Sequence, residues 1–416
     1  MKVIKIEGNQ KLSGTIKISG AKNSSVALLP ASILADSDVT ICNVPEITDT
    51  DVLCDILKYL GADVRRASES VVITPSIENK VIPAEFTKKL RASYYFMGAL
   101  LGKKKHVEMY LPGGCSIGAR PIDLHLKGFE ALGATITNEG EKYIVDAKEL
   151  KGANIYLDIA SVGATINIML AAVLADGLTI IDNAAKEPEI VNIATYLNNM
   201  GAKITGAGTS EIRVMGVTKL HGCFHEVIPD RIETGTYLII GALVGENFKV
   251  YNVIPEHVEA LTSKLIEMGA DLEIGSDYII INSKKEYKPV NVTTRVYPGF
   301  PTDLQQPFSV LLSRCNGKST VEETIWENRF MHLPELEKMG MNVSKEGIEA
   351  TFIGPNELKG CEVKATDLRA GAAMVAAALA AQGETTITNI EHILRGYEGI
   401  VEKLTDVGAK IKIEEI

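Results

Sequence analysis

Four cations stand where the chain is due to begin a helix: Lys22, Arg91, Arg231 and Arg369. Their segments read Gly20-Ala21-Lys22-Asn23-Ser24, Leu90-Arg91-Ala92-Ser93, Asp230-Arg231-Ile232-Glu233-Thr234 and Ala365-Thr366-Asp367-Leu368-Arg369. Two further polar starts belong to the same series, Ser161-Val162-Gly163-Ala164-Thr165 and Pro301-Thr302-Asp303. The first turn of a helix presents unpaired N–H groups at the positive end of its dipole, and these attract anions. Capping by Ser, Thr and Asp explains part of the pattern without a ligand. It does not explain the cations, which the dipole disfavours there. Lys and Arg at these positions predict a bound anion.

A second segment carries chemistry of another kind: Leu111-Pro112-Gly113-Gly114-Cys115-Ser116-Ile117-Gly118-Ala119-Arg120-Pro121. Its glycines and prolines predict a loop with unusual backbone shapes. A thiol in such a loop is accessible, whereas Cys42 and Cys54 fall in apolar strand-like and helix-like patterns and read as core. An ordinary thiol titrates near roughly 8.5, and neighbouring cations such as Arg120 favour the thiolate. A small residue in a turn is the plain alternative; a reactive Cys115 is the reading preferred. Glycine-rich phosphate loops fail their tests. A Walker loop ending at Gly317-Lys318-Ser319 would need Gly where Leu312 stands, and Gly206-Ala207-Gly208 lacks its third glycine.

The elements that must position these residues come from a repeat. Six helix-like segments end in Gly followed by a short apolar strand, at Gly61, Gly133, Gly201, Gly269, Gly340 and Gly408. The spacings are 72, 68, 68, 71 and 68 residues, so one supersecondary unit is used six times. Each copy opens with an apolar helix, near 23–35, 92–101, 163–175, 234–244, 304–313 and 368–381. A strand, a second helix, the repeated Gly and two closing strands follow. After Gly408 only eight residues remain, so the last copy is short. Lys11-Leu12-Ser13-Gly14 resembles Glu149-Leu150-Lys151-Gly152 and Glu357-Leu358-Lys359-Gly360, which precede a copy's last strand. Residues 1–21 are therefore expected to complete copy six, with the termini side by side. A single core of six copies would exceed a usual domain, so three and three is expected. The predicted domains are 22–229, and 230–416 with 1–21. A cleft between two halves is the default ligand site.

The balance of 43 basic against 53 acidic residues gives −10 and leaves no basic, aromatic-interleaved tract for nucleic acid. Lys103-Lys104-Lys105 reads as a solvated loop. The N-terminus alternates like a strand and lacks a signal-peptide core, and the Ala-rich run near 372–381 is too short for a membrane. Six scattered cysteines without a CxxC pair suit reduced thiols in a cytoplasm. His221, Cys223 and His225 read as strand alternation rather than a metal site.

Together these motifs resemble the enolpyruvyl transferases. The resemblance runs end to end and is carried by Lys22-Asn23, Arg91-Ala92-Ser93, the Pro112–Pro121 loop, Arg120-Pro121-Ile122-Asp123-Leu124-His125, Ser161–Thr165, Asp230–Thr234, Phe300-Pro301-Thr302-Asp303, Glu327-Asn328-Arg329-Phe330-Met331-His332, Ala365–Arg369 and Arg395-Gly396-Tyr397-Glu398. It implies an α/β (α+β) fold: a two-domain inside-out α/β barrel of six βαβαββ units, three per domain. It implies transfer of the enolpyruvyl group of phosphoenolpyruvate to the 3′-hydroxyl of UDP-N-acetylglucosamine, through a tetrahedral intermediate that loses phosphate. No metal, organic cofactor, membrane or obligate protein partner is implied.

By the same resemblance Cys115 is the proton donor, forms a phospholactoyl adduct and is the target of the epoxide fosfomycin. Asp303 accepts the hydroxyl proton, supported by Asp367 and Arg369. Lys22, Arg120 and Arg395 hold phosphoenolpyruvate. Asn23, Arg91, Pro121, Ile122, Asp123, Leu124, Ser161, Val162, Gly163 and Ile325 line the sugar-nucleotide site, and Arg329 clamps the closed form. Thr48 and Ile159 stand where some members carry Lys, which bears on affinity and closure. The alternatives are transfer to shikimate 3-phosphate and a non-catalytic sugar-nucleotide sensor.

Overall fold

The computed structural model describes residues 2–67, 69–110 and 122–416. Each copy begins with a helix that is buried nearly all round after its first turn. These opening helices are α1 (Lys22–Ala31), α2 (Tyr95–Lys104), α3 (Val162–Ala172), α4 (Arg231–Val244), α5 (Thr302–Leu311) and α6 (Leu368–Ala380). Every residue of α4 after Arg231 is buried. In α6 the run of alanines and a glycine removes side-chain bulk, and this helix packs on both α4 and α5. The strands alternate buried and exposed residues, as sheets with one covered face do. Helices thus lie inside and sheets outside, the inverse of an ordinary barrel.

Among the described residues there are six four-stranded sheets of one topology. In the third copy Asn154–Tyr156 pairs in parallel with Leu178–Asp182, and an antiparallel hairpin of Lys203–Thr205 and Glu211–Met215 completes the sheet. The helix α3 forms the crossover of the parallel pair. Phe224–Glu226 pairs with Val39–Cys42, so the strand that ends copy three opens the sheet of copy one. In the same way Leu12–Lys17 pairs with Gly245–Tyr251. Lys2–Glu7 lies antiparallel to Lys410–Glu415 with Lys2 opposite Glu415, so the two ends of the chain share a sheet, as the short sixth copy predicted.

All six repeated glycines have φ between 86° and 111°. The residue after each donates its N–H to a carbonyl five residues back, for example Ala62 to Leu57 and Ala409 to Leu404. That bond with a left-handed glycine is a Schellman stop, which explains why Gly recurs at this point of every copy.

The chain forms two compact units, one from Gly20 to Ile228 and one made of the segment ending at Ser19 with Pro229–Ile416. Each has its own apolar core. No helix among the described residues is long and apolar enough to cross a membrane.

Lys103–Lys105 is not a solvated loop. Lys103 Nζ donates to the carbonyls of Leu34 and Ala35, and Lys105 Nζ to those of Gly102 and Leu174. These are carbonyls at helix C-terminal ends, where cations are favoured. The lysines line a cavity of about 700 Å³ with Asp36, Asp176, Lys203 and Lys219. It lies at the C-terminal ends of α1, α2 and α3, roughly 15 Å along the helices from the predicted site residues.

Candidate active site

In the unit from Gly20 to Ile228 the helix starts carry the predicted residues. Lys22 is the first residue of α1, and its Nζ lies 2.8 Å from Asp49 Oδ2. Asp49 sits in the first turn of the helix Thr48–Leu60, and both side chains are largely buried. The cation that sequence reasoning assigned to a bound anion therefore has a carboxylate within the fold. Asn23 follows Lys22 on the same helix start. Arg91 begins a short 3-10 turn that leads into α2.

Leu124 precedes a polar node that sequence reasoning did not resolve. His125 is 5% exposed, and its Nδ1 accepts from Asn167 Nδ2 at 2.8 Å. Asn167 also donates to the Tyr94 carbonyl at 3.0 Å and accepts from the Gly98 N–H at 2.9 Å. The Tyr94 ring meets His125 edge-on, 4.9 Å between centroids. Burial, with the Arg91 charge nearby, lowers the His125 pKa to about 3, so the ring is neutral. Gly163 packs against this node. A Cβ there would lie 2.9 Å from His125 Cε1 and 3.0 Å from Tyr94 Oη. Ser161 caps α3, its Oγ accepting from the Ala164 N–H at 3.3 Å. Arg91 and Gly163 thus border this node, and Ser161 caps the helix that carries Gly163. Ile122 and Asp123 stand at the start of the helix Asp123–Ala131.

Cys115, Arg120 and Pro121 lie outside the described residues. Their flanks are the strand His106–Tyr110 and the helix Asp123–Ala131, matching the expected place between a strand and a second helix. Ile159 is exposed.

In the other unit three segments converge on Asp303. This residue lies in the first turn of α5. Its Oδ1 accepts from Arg329 at 2.5 Å and its Oδ2 from Arg369 at 3.2 Å. Both arginines are almost fully buried, while Asp303 is 28% exposed. Asp367 caps α6: its Oδ1 accepts from the N–H groups of Arg369 at 2.8 Å and Ala370 at 3.1 Å. The Arg369 guanidinium lies over the Tyr397 ring, 5.4 Å from its centroid. Burial opposes its charge, but Tyr397, Asp303 and Asp230 outweigh burial and raise its pKa. Here too an internal carboxylate meets the helix-start cation. Arg231 lies over the Tyr297 ring at 5.6 Å.

Ile325 is held by its backbone. Its N–H donates to Glu323 Oε1 at 2.9 Å, and Glu323 also accepts from Thr294 and Thr302 at 2.9 Å each. This buried carboxylate ties the 323–326 loop to the start of α5. Arg395 ends the short helix Glu391–Leu394. Of His221, Cys223 and His225 only His225 lies on a strand, Phe224–Glu226, bonded to Asn192 at 3.0 Å and Asn199 at 3.1 Å; His221 and Cys223 precede it in irregular chain. Among the described residues no group of three or more His, Cys, Asp or Glu could hold a metal ion.

A family model described as EPSP synthase (3-phosphoshikimate 1-carboxyvinyltransferase) matches residues 6–404. The chain is 56% identical to UDP-N-acetylglucosamine 1-carboxyvinyltransferase 2 of Geobacillus kaustophilus, covering 100% of this chain and 97% of the relative. It is 55% identical to the protein of the same name in Bacillus subtilis, covering 99% and 96%. Among solved structures, the enolpyruvyl transferase NikO from Streptomyces tendae superposes with a TM-score of 0.90 at 26% identity, over 99% of this chain and 98% of that one. An EPSP synthase from Acinetobacter baumannii gives 0.78 at 19% identity over the whole of both chains, a likeness of fold.

Proposed function

The chain belongs to the enolpyruvyl (1-carboxyvinyl) transferase family, and on that premise we propose that it moves the enolpyruvyl group of phosphoenolpyruvate onto the 3′-hydroxyl of UDP-N-acetylglucosamine. Phosphate is released, and the product enters peptidoglycan synthesis at its first committed step. The observation that carries the choice of acceptor is the 56% identity, over the full chain, to a relative named for that acceptor. The family model named for the shikimate enzyme matches residues 6–404, and the solved EPSP synthase is only 19% identical.

The bond changes balance without a redox partner. The sugar oxygen bonds to C2 of phosphoenolpyruvate as its proton passes to a base, and a proton adds to C3. The tetrahedral intermediate then loses the C3 proton and phosphate. The steps need a base at the hydroxyl, an acid at C3, and cations for phosphate and carboxylate. Asp303 is the base in this reading. Its partial exposure leaves it open to a substrate hydroxyl, and the guanidinium on each oxygen fixes its orientation. Arg369 and Asp367 support it. Cys115 is the acid. Lys22, Arg120 and Arg395 take the phosphoenolpyruvate. Asn23, Arg91, Pro121, Ile122, Asp123, Leu124, Ser161, Val162, Gly163 and Ile325 take the sugar nucleotide. Arg329 holds the ligand-bound form.

A phosphate-release assay with phosphoenolpyruvate and each acceptor tests the reading. Release with UDP-N-acetylglucosamine is expected. Release with shikimate 3-phosphate alone overturns it, and sugar-nucleotide binding without release favours the sensor. Fosfomycin labelling followed by peptide mass spectrometry tests Cys115; a label on another cysteine removes it from its role.

A further inference from the structure

We propose that Gln306 is a positioning residue for deprotonation of the acceptor hydroxyl, acting through Asp303. The proposal rests on the reading of Asp303 as the base. Gln306 is fully buried and lies three residues after Asp303 on α5, hence on the same face one turn further along. Its Nε2 carries two protons and uses both: one goes to the Arg329 carbonyl at 3.1 Å, the other to Asp367 Oδ2 at 3.1 Å. Those two acceptors belong to the two segments that deliver the cations on Asp303. Arg329 is reached through its own backbone. Arg369 is reached through Asp367, which binds the Arg369 N–H with its other oxygen. One amide thus fixes the origin of both guanidiniums relative to the helix that carries the base.

The chemistry of the site selects this side chain. Two acceptors facing one atom require a neutral donor of two protons at that reach. Ionised Glu would offer only acceptors, Met no donor, and Asn is one methylene short. Gln306 Oε1 is buried with no hydrogen-bond partner. Turning the amide over would set that oxygen against two acceptors, so the donor orientation is the one the site holds. The neighbouring His332 is also wholly buried, and burial lowers its pKa to about 3, so it brings no charge to Asp367.

The test is a double-mutant cycle of Gln306→Met with Asp303→Asn, read by phosphate release at enzyme excess and by steady-state kcat and KM. Loosening the guanidiniums by a fraction of an ångström is expected to lower kcat roughly 10- to 100-fold, with either KM changed less than about threefold. In the Asp303→Asn background the same change is expected to cost less than about threefold. An equal loss in both backgrounds, or no loss in the folded single variant, overturns the proposal. Should Gln306→Met not fold, Gln306→Glu, which keeps the shape and removes the donors, is run through the same cycle under the same criteria. Wild-type turnover is measured beside it. If the wild type does not release phosphate with UDP-N-acetylglucosamine, the assigned reaction fails; if it does and the cycle is additive, only Gln306 fails.

Discussion

Lys22 Nζ and Asp49 Oδ2 meet at 2.8 Å, joining the starts of two helices that are adjacent in the chain. The pair is largely desolvated, with 14% of the Lys22 side chain and 4% of the Asp49 side chain exposed. Asp49 therefore aims the ammonium that is assigned to phosphoenolpyruvate. Asp49→Ala is expected to destabilise the fold by about 3 kcal/mol, because removing one partner of a buried pair leaves the other charge poorly solvated. The KM for phosphoenolpyruvate should rise roughly tenfold, equivalent to about 1.4 kcal/mol of lost binding. The KM for UDP-N-acetylglucosamine should move far less. Steady-state kinetics with each substrate varied in turn distinguishes the two; a KM rise confined to the sugar nucleotide would contradict the assignment.

Gly163 meets the His125–Asn167–Tyr94 node with no room for a methyl group. Gly163→Ala must push His125 or Tyr94 aside, at a cost of about 1–3 kcal/mol for an overpacked site. The strain falls at the start of α3 and beside Arg91, both assigned to the sugar nucleotide. Isothermal titration should show weaker UDP-N-acetylglucosamine binding, while the rate of Cys115 alkylation in the free enzyme stays unchanged. Unaltered nucleotide affinity in a folded variant would separate Gly163 from that subsite.

The repeat was legible because it rests on local rules. A left-handed glycine stop leaves a mark in every copy, and the truncated sixth copy announced the pairing of Lys2–Glu7 with Lys410–Glu415. The helix starts that bear Lys22, Asp303 and Arg369 were legible for the same reason. Their partners were not. Asp49 is 27 residues from Lys22, and Arg369 is 66 from Asp303, so the ion pairs are consequences of packing that no local pattern encodes. Reading each helix-start cation as the mark of an external anion missed those carboxylates. Lys103–Lys105 misled for a related reason: a charge run looks solvated until the helix ends that it caps are brought beside it. Gln306 had no signal at all, since a glutamine in a helix is ordinary and only its two bonds give it meaning.

Glu233 gives the fold a pH dependence whose sign is fixed. Its carboxylate is buried, accepting from the Ser19 N–H at 2.8 Å and from Lys403 at 2.6 Å. Burial raises its pKa to about 7, and the Lys403 charge only partly opposes that rise. A carboxyl group with a raised folded-state pKa binds its proton more tightly folded than unfolded. Its contribution is complete below the unfolded value, roughly 4.3, and is lost as the pH climbs through 7. Between pH 5 and 8 the wild type should therefore lose roughly 3 kcal/mol relative to Glu233→Gln, which keeps a neutral amide at every pH. Urea unfolding of both proteins at pH 5, 6, 7 and 8 measures the difference. Parallel curves would show that Lys403 keeps Glu233 ionised throughout, and a gap that widens in the opposite direction would reverse the assigned sign.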